Sequence, residues 1–133
     1  MYIFLDIDGV LNTEADWGRL YCLKKEHIDK LCDDYPNSKI ILISSWKNGF
    51  ISRNNKNNSE PIKRLESMLS NNVSIIGKTE LSNDISRNIQ IDEYIKVHPS
   101  ITQYVVIDDD TSEYDNFFLN DKHFKLINSK YGY

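Results

Sequence analysis

Cysteine, proline and glycine are scarce in this chain of 133 residues, at two, three and five copies. The cysteines, Cys22 and Cys32, form no Cys-x-x-Cys and have no histidine at metal-knuckle spacing. That excludes a disulfide framework and a zinc site, and fits a reducing compartment. Long hydrophobic runs are also missing. Ile40–Ile43 and Tyr104–Ile107 are strand-sized, far short of a membrane span. The N-terminal apolar run meets Asp6 too soon for a secretory signal. Positive charge is not in excess: 16 Lys and Arg face 20 Asp and Glu, a net −4, so no global nucleic-acid footprint exists. A soluble cytoplasmic protein without membrane association is expected. Its length suits one domain spanning 1–133, and no internal repeat is visible.

What is present is a hydrophobic content of 40% arranged in short blocks. YIFLDI (2–7), KIILIS (39–44), VSIIG (73–77) and YVVID (104–108) are rich in β-branched and aromatic residues. Most are apolar on consecutive positions, which suits strands covered on both faces, as in a parallel sheet. HFKLI (123–127) reads as a fifth, edge strand. Between them lie helical spacings. Leu20, Leu23, His27, Ile28, Leu31 and Tyr35 predict a helix stopped by Pro36. Pro61 opens another, carrying Ile62, Leu65, Met68 and Leu69. A third runs from about Ser86 and ends before Pro99. FISRNNKNNSE (50–60), polar and rich in Asn, reads as a loop. The expected fold is α/β: a single doubly wound parallel sheet of about five strands with helices on both faces.

Ligands of such sheets bind at the carboxyl ends of the strands. Three strands here end in polar residues: Asp6 and Asp8, Ser44 and Ser45, and Asp108 to Asp110. If the first and fourth strands are neighbours, four carboxylates converge and repel unless a cation is present. Hard oxygen donors with open positions favour Mg²⁺. A divalent ion would neutralise the cluster and let a carboxylate approach a phosphate. One Asp could then attack phosphorus, and the other could protonate the leaving oxygen. Gly9 would permit a close turn directly after the acidic pair. Alternation along an extended strand would set Asp6 and Asp8 on one face.

These residues carry a family resemblance. DIDGVL (6–11) resembles the first motif of the haloacid dehalogenase (HAD) superfamily in its phosphatase form. KIILISSW resembles the second motif, with Ser44 at its hydroxyl position, and VVIDDD the fourth, with Asp108 and Asp109. Arg87, opening a helix, best fits the third-motif cation, with Lys78 as the rival. The resemblance spans roughly residues 1–128 and implies a Rossmann-like phosphatase working through an aspartyl-phosphate. It implies that Asp6 is nucleophile and metal ligand. Asp8 would be general acid and base, and would bind metal through its carbonyl. Ser44 would hold a phosphoryl oxygen, with Ser45 contributing a backbone N–H. Arg87 would offset charge, and Asp108 and Asp109 would anchor Mg²⁺, the direct ligand among them left open.

Neither gap between motifs has room for a cap domain, so the chain resembles a capless member. It is most similar to the HAD domains of RNA-repair proteins and to the phosphatase half of polynucleotide kinase-phosphatases. The expected substrate is a phosphorylated small molecule or a nucleic-acid end. A partner or additional domain could cover the open site, and the expected state is a monomer or weak homodimer. Residues 46–64 hold Lys47, Arg53, Lys56, Lys63 and Arg64 against Glu60 alone, a basic stretch that could track phosphates. Trp46, beside the motif-two serines, could stack on a base. Gly9, Ser45, Trp46, Lys47 and Lys78 are therefore the candidate substrate contacts. Two other readings stand beside the enzyme: a receiver-like phospho-acceptor module, and a non-catalytic binding protein on a HAD scaffold. The Gly after Asp-x-Asp argues against the first, and the intact Asp6/Asp8 pair against the second.

Overall fold

A computed structural model describes residues 1–80 and 84–133. In chain order, β1 (Tyr2–Leu5) leads through a 3-10 turn at Glu14–Asp16 to α1 (Lys25–Asp34) and β2 (Lys39–Leu42). A second 3-10 turn, Ser45–Gly49, precedes α2 (Glu60–Met68) and β3 (Ser74–Lys78). Then come α3 (Arg87–Val97), β4 (Tyr104–Asp108), a short α4 (Asn116–Leu119) and β5 (Phe124–Leu126). The strands form one parallel sheet in the order β3-β2-β1-β4-β5, the Rossmann-like α/β architecture expected. The described connections hold single helices and turns, and none is an inserted cap. No described helix is long and apolar enough to cross a membrane.

The consecutive apolar residues of the central strands are explained by two cores, one on each face. Ile3, Leu5 and Ile7 pack with Ile28, Leu31 and Cys32 of α1 and with Ile62 and Leu65 of α2. Phe4, Ile41 and Val106 face the other way, against Ile91 of α3 and Tyr114. Burial of each such side chain contributes about 1.5–3 kcal/mol. Since every position of β1 from Ile3 to Leu5 is fully buried, polar alternation has no place in it.

Two local expectations change. The first helix starts at Lys25, not at Leu20. Residues 17–21 form turns, with Tyr21 at a positive φ of 55° that no helix accepts, and Leu20 is 89% exposed. Apolar spacing there reported an exposed rim, not a buried stripe. Secondly, β1 ends at Leu5 and the chain tightens at once, with the amides of Val10 and Leu11 both donating to the Ile7 carbonyl. Strand alternation therefore stops before it reaches Asp8. Asp6 is buried, whereas Asp8 is exposed.

The turn depends on Gly9, whose φ is +85°. A Cβ added there would lie 2.1 Å from Oδ2 of Asp109. Gly9→Ala is thus expected to cost about 1–3 kcal/mol from strain in the backbone and from the displaced carboxylate. Thermal unfolding should fall by several degrees. Adding Asp109→Ala should recover part of that loss by removing the clash, leaving the φ penalty; strict additivity of the two changes would contradict the contact.

Candidate active site

The register that pairs Leu5 with Ile107, continued by one residue, sets Asp6 beside Asp108. The Asp6 amide extends the ladder by donating to the Ile107 carbonyl at 3.0 Å. One carboxylate oxygen from each of Asp6, Asp108 and Asp109 lies within 4.8 Å of the others. Asp6 and Asp108 are buried and Asp109 is half-buried. Burial, and then the neighbouring Asp108 charge, push the Asp6 carboxyl well above its usual range, while Arg87 opposes them. Asp109 is also pushed up, chiefly by burial.

Arg87 is the first residue of α3, and its Nη1 sits 3.3 Å from Asp6 Oδ1 and 2.8 Å from Asp108 Oδ2. A cation at a helix N-terminus opposes the helix dipole. Here two buried carboxylates and Glu113, which accepts the Arg87 amide at 3.0 Å, offset that cost. Burial pulls the guanidinium down, yet Asp6 and Asp108 keep it firmly protonated. Asp108 is heavily engaged: Tyr114 donates its hydroxyl to Oδ2 at 2.5 Å, Arg87 donates to the same oxygen, and the Asp110 amide donates to Oδ1 at 3.1 Å. Asp109 instead lines the open cleft.

That cleft has a volume of about 680 Å³. Asp6, Asp8, Asp109 and Asp110 line it with Arg87 and the Ser44–Trp46 turn, and Trp17, Arg19, Leu20 and Tyr21 form its rim. Ser44, two residues past β2, is buried, and its hydroxyl has no partner among the described residues, unusual for a buried polar atom. Ser45 is exposed on the same wall. Gly9 has its amide bound by Asn12 Oδ1 at 2.7 Å. Asp110, its Oδ1 accepting from the Ser112 amide and hydroxyl, forms a local turn at the cleft edge.

The two lysines singled out in the sequence do not line the cleft. Lys78 Nζ donates to the carbonyls of Phe50 and Lys47, at 2.5 and 3.2 Å, bracing the turn after Ser44. Lys47 is buried and donates to Thr79 Oγ1 at 3.1 Å, Gln90 Oε1 at 2.8 Å and the Glu80 carbonyl. Its pKa is lowered, first by burial and then by Arg87. Of the two candidate cations for the third motif, Arg87 is the one that reaches Asp6. The basic stretch is correspondingly less free than its charge count suggested. Lys47 points inward, Arg64 donates to the Tyr21 carbonyl, and Lys63 pairs with Glu60.

Trp46 is 5% exposed, and its indole Nε1 donates to Asp8 Oδ2 at 3.2 Å. The sequence reading missed Asn12 and Tyr114. Asn12 is a buried polar residue closing the first motif's apolar run, and that position was its only signal. Tyr114 had none.

Replacing Arg87 with Met should leave Asp6 and Asp108 buried without their cation. In the presence of a chelator, the loss is expected to be about 3–5 kcal/mol near neutral pH. It should shrink toward acid pH, where the carboxyls protonate, as followed by chemical denaturation across pH. A loss independent of pH would contradict the ion pairs.

The residues that converge on the cleft come from the four motifs, in the order along the chain that the sequence presents. A family model for the HAD domain in Swiss Army Knife RNA repair proteins matches residues 2–132. No curated protein and no solved structure matches. With nearly the whole sheet and cleft inside the matched span, the chain belongs to this family of HAD domains from RNA-repair proteins.

Proposed function

We propose that the protein is a Mg²⁺-dependent phosphomonoesterase working through an aspartyl-phosphate on Asp6. The observation that carries this reading is the Asp6 carboxylate at the floor of an open cleft, with its charge answered by Arg87 and with Asp109 in reach. The donor set, carboxylate oxygens within 4.8 Å of one another, fits a small hard cation. Asp6 and Asp109 would hold it directly. The Asp8 backbone carbonyl would add a donor, and Asp108, already engaged by Tyr114 and Arg87, would act from behind through Arg87. A bound Mg²⁺ would supply charge neutralisation for a phosphate dianion.

In the first step an Asp6 oxygen attacks phosphorus and the bond to the leaving oxygen breaks, that oxygen taking a proton from Asp8. In the second, Asp8 takes a proton from water, the water oxygen attacks phosphorus, and the acyl-phosphate bond breaks to release phosphate and free Asp6. Arg87 and the unpartnered Ser44 hydroxyl meet the phosphoryl oxygens, with Ser45 beside them. The open cleft and its aromatic rim suit a nucleotide or a nucleic-acid terminal phosphate. We place the protein in the cytoplasm on the reducing character of its cysteines.

Hydrolysis of p-nitrophenyl phosphate should require Mg²⁺ and fall by at least about 10³-fold in Asp6→Asn. Activity that survives this change would sink the proposal. A panel of phosphorylated metabolites and 3′- and 5′-phosphorylated oligonucleotides then identifies the preferred ester.

Metal binding has its own signature. Asp6 and Asp109 sit above their ordinary value of 3.8, so without metal these two groups hold more protons in the fold than in the unfolded chain above that value. Their contribution to stability therefore falls as pH rises through this window. A cation bound by the ionised carboxylates reverses the loss. Mg²⁺ should thus raise the unfolding temperature more at pH 7.5 than at pH 5, and have little effect on Asp109→Ala. An equal shift at both pH values, or in the variant, would rule out this binding site.

A further inference from the structure

We propose that Trp46 is a positioning residue that, together with Asn12, clamps Asp8 for proton transfer, a role that rests on the phosphatase reading above. Asp8 is exposed and lies in a turn, so its side chain would otherwise sample several rotamers. Instead both of its oxygens are held. Trp46 Nε1 donates to Oδ2 at 3.2 Å, and Asn12 Nδ2 donates to Oδ1 at 3.0 Å.

Each donor is itself fixed. The Trp46 indole packs into the larger core cluster and makes an edge contact with Tyr21, the ring centroids 5.1 Å apart. Asn12 accepts from the Gly9 amide at 2.7 Å and donates to the Cys22 carbonyl at 2.9 Å. An indole N–H can only donate. The two donors therefore fix the orientation of the Asp8 carboxyl and leave its remaining lone pairs on the cleft side. Trp46 also belongs to the turn that starts at Ser44. One short segment thus carries both Ser44, which lines the cleft, and the anchor of the proton donor. Its ring, turned inward and 5% exposed, is not disposed as a platform for a base.

General acid assistance matters for a poor leaving group and hardly at all for p-nitrophenolate. kcat/KM covers only the steps up to loss of the leaving group, whereas kcat includes the later step in which Asp8 acts as base. In Trp46→Phe, kcat/KM for glycerol 2-phosphate should fall about tenfold or more relative to kcat/KM for p-nitrophenyl phosphate. kcat should fall for both esters. Asp8→Asn sets the ceiling of the leaving-group effect. Benzothienylalanine at position 46 keeps the bicyclic shape and lacks the N–H, so it must reproduce the effect even if the Phe variant folds poorly. Equal losses of kcat/KM on the two esters would overturn the clamp, as would a rise in KM confined to nucleotide substrates, the mark of base stacking. Wild-type protein inactive on both esters with Mg²⁺ would overturn the phosphatase reading, and this role with it.

Discussion

Two like charges are buried side by side at the ends of β1 and β4, and the rest of the site is arranged around that cost. Parallel pairing in register makes Asp6 and Asp108 neighbours. Asp108 is closed to bulk water and Asp6 nearly so, and each is met by a cation or a donor inside the protein. Arg87 answers both, Tyr114 and the Asp110 amide complete Asp108, and the compensation for Asp6 stays partial. The raised Asp6 carboxyl is the residue of that imbalance. A fold selected for stability alone would place apolar side chains here. An imbalance of charge facing an open cleft is what a site for a cation requires.

Around this cluster, charges that look like ligands in the sequence are structural. Lys78 and Lys47 both spend their ammonium groups on the turn after Ser44 and on its junction with β3 and α3. The link from Lys47 to Gln90 is informative, because Gln90 lies one turn beyond Arg87 on α3. Lys47 therefore ties the segment carrying Ser44 to the helix carrying Arg87. Half-buried Lys78 caps two carbonyls of the turn, at Lys47 and Phe50, and buried Lys47 anchors it to β3 and α3.

The strands were legible because burial on two faces writes itself as consecutive apolar residues. The acidic strand ends, Ser44 and Arg87 were legible because their residue types sit at element boundaries in a fixed order. What was not legible has physical reasons. The rim at 17–21 carries helix-like apolar spacing, but Tyr21 adopts a left-handed backbone and Leu20 is exposed. Whether a lysine points outward or is buried among carbonyls depends on packing across the sheet, and one-dimensional charge counts contain none of it. Tyr114 meets Asp108 only through the turns before α4, and no local pattern marks it.

The acidic pair of the first motif shows how such limits matter chemically. Read as an extended strand, Asp6 and Asp8 would be equivalent ligands on one face. The chain instead leaves strand geometry at once, and Gly9 turns it with a positive φ against Asp109. Asp6 stays hydrogen-bonded to the end of the sheet through its amide, buried and with its carboxyl raised, an environment that suits the nucleophilic role proposed for it. Asp8 leaves the sheet and becomes exposed, held by an indole and an amide that only orient it. Proton transfer needs a carboxyl that is accessible and aimed, and attack needs one that is desolvated and fixed. A single turn separates the two environments, so the division of labour proposed for these two identical side chains matches where the strand ends.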